Sequence, residues 1–170
     1  MAALTEAEKK KIDGLRKKNS LKSMYYTRYF LIRYVVAFFF FVNLYWLLLL
    51  SLSGAVRVAV LPLALAACGA ACMWEQYQMY AEKQKPARMT WLYFQLVIII
   101  NGLLILAVFV NRYHYFYPFL AVSSTVQFLL AGVLAAGIAL AAWMLAKIRR
   151  INQKKDKQYY RIQQYLATIK

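Results

Sequence analysis

Four long stretches of this chain carry almost no charge, and they constrain its fold more than any other feature. They are residues 34–52, broken only by Asn43; 56–74, with Arg57 at the edge; 90–110; and 119–146, which is 28 residues without a charged side chain. A helix needs roughly 20 apolar residues to cross about 30 Å of hydrocarbon. Each stretch is close to that length or longer. In hydrocarbon every backbone N–H and C=O must be paired within the protein, which leaves helices or closed barrels. These runs lack the alternation of barrel strands, so helices are expected. The fold class read from the sequence is an all-α integral membrane protein. It is a four-transmembrane-helix bundle with basic amphipathic cytoplasmic helices at both ends. Its parts are an N-tail (1–33), a transmembrane domain (34–146) and a C-tail (147–170).

The charges sit almost entirely outside these blocks. The 170 residues hold 22 Lys and Arg against 6 Asp and Glu, and 63% of the chain is hydrophobic. Nine of the cations lie in residues 1–33, three in 75–90 and eight in 147–170. Arg57 and Arg112 are the remaining two. Cytoplasmic loops carry the excess of Lys and Arg. This 20-to-2 split therefore predicts that both termini and the connection between spans two and three are cytoplasmic, in a multi-pass protein of the plasma membrane. The short connection near Ser53 and the one at 111–118 then face outward. The N-tail is too short to bury a core of its own. The small residues Ser51 to Ser53 do not make the first span a cleaved signal, because the apolar run is too long and 33 residues precede it.

Both tails have helical features. Thr5 and Glu8 fit a capping box. Leu4, Ile12 and Leu15 give a sparse apolar side among Lys9–Lys11 and Arg16–Lys18. Leu21, Met24, Tyr25, Arg28, Tyr29 and Ile32 mix aromatic, apolar and basic residues up to the first span, as in a helix lying on or entering the headgroup region. In the C-tail Ile148, Ile151, Tyr159, Ile162, Leu166 and Ile169 fall near one helix side. A basic amphipathic helix of this kind binds anionic lipid headgroups or packs on another helix. Nucleic acid ranks last, since a tail beside a membrane is basic in any case.

Several chemistries have no residues to carry them. The spans hold no Asp, Glu, Lys or His at mid-depth, where a proton-coupled carrier needs a titratable group. The small multidrug-exporter pattern, four spans with a buried Glu in the first, is not met. Glu75, beside Trp74, reads as an interfacial residue. His114 stands alone outside, so no zinc ligand set forms. Hydrolase, P-loop and dinucleotide motifs are missing. No catalytic residue, metal or cofactor is expected. Cys68 and Cys72, four apart in span two, read as small packing residues rather than a redox pair.

Three groups of residues remain as candidates. The intramembrane amides Asn43, Gln95, Asn101 and Gln127 should face other helices, each contact contributing ~0.6–2 kcal/mol. Ala131, Ala135 and Ala139 in one row of span four, with Gly132 and Ala136 in the next, permit close helix approach. Arg112, Tyr113, His114, Tyr115 and Tyr117 form an aromatic outer loop, either an interface belt or a contact patch. The function this predicts is a non-enzymatic accessory or scaffold subunit of a larger envelope or transport assembly, with a membrane-protein partner or a second copy as neighbour. The alternatives are a small transporter or channel subunit acting as an oligomer and, least supported, an intramembrane lipid-modifying enzyme.

Overall fold

The computed structural model describes residues 6–78 and 87–169, and within them all regular structure is helical. The elements are α1 (Glu6–Leu52), α2 (Val56–Gln78), α3 (Arg88–Phe109), α4 (Tyr113–Phe116), α5 (Ser124–Asn152) and α6 (Lys157–Ile169). Four of them, α1, α2, α3 and α5, are long and apolar enough to cross a membrane.

α1 passes through residue 33 without a break. Its first half lacks proline and is rich in Lys, Arg, Glu and Leu, all good helix formers. Its 47 residues extend about 70 Å at 1.5 Å per residue, more than twice a bilayer's hydrocarbon thickness. The N-tail is thus continuous with the first apolar segment, as in a helix entering the headgroup region. Thr5 of the expected cap and Leu4 of the apolar side lie outside the described residues, as do the side chains of Lys10 and Ile169.

Three helices end in the same way. At Gly54 (φ 73°), Asn111 (φ 57°) and Lys154 (φ 56°) the backbone turns left-handed. The next N–H then reaches back five residues: Ala55 to the Leu50 carbonyl, Arg112 to Ala107 and Lys155 to Arg150. This is the Schellman arrangement, which satisfies carbonyls that a helix end leaves open. Glycine adopts that φ freely and asparagine tolerates it, whereas Lys154 takes it with steric strain.

The long helices pack as two pairs, α1 with α2 and α3 with α5, while α2 leans on α3. The buried side chains form two clusters. One, toward the end that carries the tails, centres on Ile32, Val36, Phe94, Met144 and Ile148. The other, toward the 111–123 connection, contains Trp46, Leu50, Leu104, Tyr113 and Leu134. α1 and α5 barely meet directly. α6 turns back onto α1 and buries Ile162 completely. Of the C-tail's apolar side, Ile148, Ile151 and Ile162 are buried within the protein and Tyr159 and Leu166 half-buried, in keeping with helix packing, one of the two roles the sequence offers it.

Candidate functional site

At the tail end, a buried ion pair joins the first helix to the last. Arg28 is 4% exposed. Its Nε donates to Asp156 Oδ2 at 2.8 Å and its Nη2 to Oδ1 at 2.5 Å. The same Nη2 also donates to the Ile151 carbonyl at 3.2 Å. Two parallel bonds from a guanidinium fork fix orientation as well as charge. Asp156 also caps the first turn of α6, where its Oδ2 accepts the Tyr159 N–H at 3.2 Å. The Tyr159 ring lies under the guanidinium, 5.4 Å from Cζ to its centroid.

A second polar cluster holds α2, α3 and α1 together at the same end. The Glu75 carboxylate accepts the Met89 N–H at 3.0 Å, the Thr90 N–H at 2.9 Å and the Thr90 hydroxyl at 2.8 Å. It therefore supplies the N-terminal cap that Ala87 cannot give α3. The positive end of the helix dipole favours that negative charge. Gln76 Nε2 donates to Thr90 Oγ1 at 3.3 Å, and Arg33 Nη2 donates to the Gln76 carbonyl at 2.9 Å. The Arg33 guanidinium also covers the Tyr26 ring, 4.2 Å from Cζ to its centroid.

Between the two hydrophobic clusters, α1 and α5 part to leave a half-enclosed cavity of about 370 Å³. Asn43 and Asn101 bring side-chain amides to a wall that also holds the amphipathic Trp46 and Tyr117 and is otherwise apolar. Asn43 is 6% exposed, and its Nδ2 donates to the Phe39 carbonyl of its own helix at 2.7 Å. Asn101 has no hydrogen-bond partner among the described residues. Its amide lies against Gly137 of α5, where a Cβ would fall 2.8 Å from Asn101 Nδ2 and push the amide aside. A second groove of about 490 Å³ continues toward the 111–123 connection, sharing Val42, Trp46, Tyr117, Leu130 and Val133 with the first.

The four amides accordingly do not form one interhelical network. Asn43 turns to its own backbone, and Gln95, like Asn101, is unpartnered among the described residues. Gln127 donates to Asn111 Oδ1, tying the start of α5 to the turn after α3. The small-residue face of α5 also divides. Ala131 packs against the second cluster, while Gly132, Ala135, Ala136 and Ala139 are exposed. The reason is that α5 turns larger residues, Leu130, Leu134 and Met144 among them, to the interior.

The outer aromatic patch divides too. Tyr113 is buried, where its hydroxyl donates to the Ala121 carbonyl at 3.3 Å and accepts the Ser123 N–H at 3.2 Å. Tyr113 therefore pins the connection rather than offering contact. Tyr117 is half-buried and stacks on Trp46 at 5.0 Å, and Trp46 Nε1 donates to the Phe116 carbonyl at 3.2 Å. Burial raises the Tyr117 phenol above its ordinary pKa. Arg112, His114 and Tyr115 stay exposed. Cys68 is exposed and Cys72 buried, both as free thiols. Among the described residues no three His, Cys, Asp or Glu side chains converge to hold a metal.

Sequence reasoning passed over Asp156 and Glu75 as structural anchors. The signal was their rarity: Asp156 is the lone acid of residues 147–170 and stands three residues before Tyr159, at N-cap spacing. No protein family, no curated protein and no solved structure matches the chain.

Proposed function

We propose that this chain is a four-span membrane protein with cytoplasmic termini, acting as a non-enzymatic accessory or scaffold subunit of a larger membrane assembly. The observation that carries this reading is the face of α5 formed by Gly132, Ala135 and Ala139, which stays exposed, with Ala136 at its edge on the cavity wall. In lipid there is no hydrophobic drive between helices, so close backbone approach over small residues is a main source of association. A helix that keeps such a face away from its own bundle is suited to another protein's helix. The charge split supports the orientation. The joined tails, with exposed Lys17, Lys18 and Lys22 on α1, suit a cytoplasmic cap.

A photo-crosslinking residue at Ala139, with one at exposed Leu103 on α3 as control, tests the reading in native membranes. A discrete adduct with one unlike membrane protein from Ala139 alone is the expected result. An adduct with a second copy of the chain favours the oligomeric transporter or channel, an alternative that the Asn43 and Asn101 amides support. Lipid adducts alone, equal at both positions, contradict the accessory role.

A further inference from the structure

The cavity between α1 and α5 has properties that the accessory role does not use. Asn43 lies nine residues before the end of α1 and Asn101 eight before the end of α3, about 12–14 Å along each helix. That is close to half of a hydrocarbon core about 30 Å thick. Both amides thus lie near mid-depth if the helices span a bilayer. With Asn43 Nδ2 bonded to Phe39, its Oδ1 is left as an acceptor. Asn101 brings an amide donor and an acceptor to the same cavity. Unbonded amides in hydrocarbon are costly, and a dry apolar void forfeits dispersion contacts along its wall.

We propose that this cavity is a binding site for a neutral long-chain lipid bearing a hydroxyl group. The hydroxyl donates to Asn43 Oδ1 and accepts from Asn101 Nδ2, and its chain follows the groove past Trp46 toward Tyr117. A phospholipid does not match, because its charged headgroup belongs at the interface and the cavity wall carries no charge to receive it. A single alkyl chain is narrow enough to follow the groove. The inference rests on the membrane reading above but not on the accessory role.

Trp46 in the wall reports on occupancy. A variant with Trp74→Phe, Trp91→Phe and Trp143→Phe, all exposed positions, leaves Trp46 as sole indole. In phosphatidylcholine nanodiscs it is titrated with a chain-brominated long-chain alcohol and with the matching brominated alkane. The expected result is saturable quenching by the alcohol and weak, proportional quenching by the alkane. Asn101→Leu should weaken the alcohol's apparent affinity about threefold to tenfold, the worth of one hydrogen bond. Gly137→Ala, which displaces the Asn101 amide, should do the same without removing it. Circular dichroism confirms that each variant is folded. Equal, non-saturating quenching by alcohol and alkane overturns the site, as does saturable quenching that both variants leave unchanged. A companion variant keeping only Trp143 is placed in nanodiscs of chain-brominated phosphatidylcholine. If that exposed indole is not quenched, the membrane reading fails and the site with it. If it is quenched while Trp46 shows no saturation, the lipid site alone fails.

Discussion

Arg28 and Asp156 stand 128 positions apart and meet through two parallel N–H···O bonds, with Arg28 almost wholly buried. The pair closes the tail end of the bundle, because Arg28 belongs to α1 and Asp156 caps α6. Removing one partner leaves the other charge buried and unpaired, which costs far more than the net value of the pair. Asp156→Ala should therefore destabilise the folded state by about 3 kcal/mol. The double variant Arg28→Met with Asp156→Leu should recover most of that. Thermal unfolding in detergent followed by circular dichroism measures both. A double variant no more stable than Asp156→Ala would show that the charge left behind is not the cause.

Glu75 caps α3 from α2 with three accepted bonds. Glu75→Ala should cost about 1–2 kcal/mol and speed hydrogen exchange at the Met89 and Thr90 amides. Glu75→Gln keeps an acceptor but loses the charge, so its loss should be smaller. Exchange at those two amides unchanged in Glu75→Ala would remove Glu75 from this role.

Lys154 holds a left-handed backbone that glycine adopts without strain. Lys154→Gly should stabilise the protein by about 0.5–1 kcal/mol, less what glycine adds to the freedom of the unfolded chain. Gly54→Ala at the equivalent turn should destabilise by a similar amount. Opposite signs of the two melting shifts are the point to check.

Tyr113 carries two hydrogen bonds that fix the connection between α3 and α5. Tyr113→Phe should cost about 1–2 kcal/mol and raise hydrogen exchange at Ser123. His114→Ala and Tyr115→Ala, both exposed, should fall within about 0.5 kcal/mol of the parent. This contrast separates a structural tyrosine from its surface neighbours.

The helices were legible in the sequence because apolar run length and charge placement are local properties. The run 119–146 marks α5, although its first turn begins only at Ser124, after a stretch that Tyr113 holds in place. The neighbours of each helix were far less legible. Asn43 and Asn101 stand out as polar residues in apolar runs, yet nothing local says that one turns to its own backbone and the other meets Gly137. Asp156 stands out as the lone acid of its tail, yet nothing local pairs it with Arg28, one of nine cations in the other, until the fold brings them together. Tyr113 differs from Tyr115 only by which side of a four-residue helix faces the core, and so short a segment has no periodicity to read.

The orientation is tested most directly by thiol labelling with a membrane-impermeant maleimide. The background carries Cys68→Ala and Cys72→Ala, and single cysteines are placed at exposed Lys17, His114 and Gln163. Cytoplasmic termini predict labelling of His114→Cys in intact cells. Lys17→Cys and Gln163→Cys should label only after permeabilisation, and both together, since α1 and α6 pack at one end. Labelling of Gln163→Cys in intact cells, or of His114→Cys and Lys17→Cys from the same side, would contradict it.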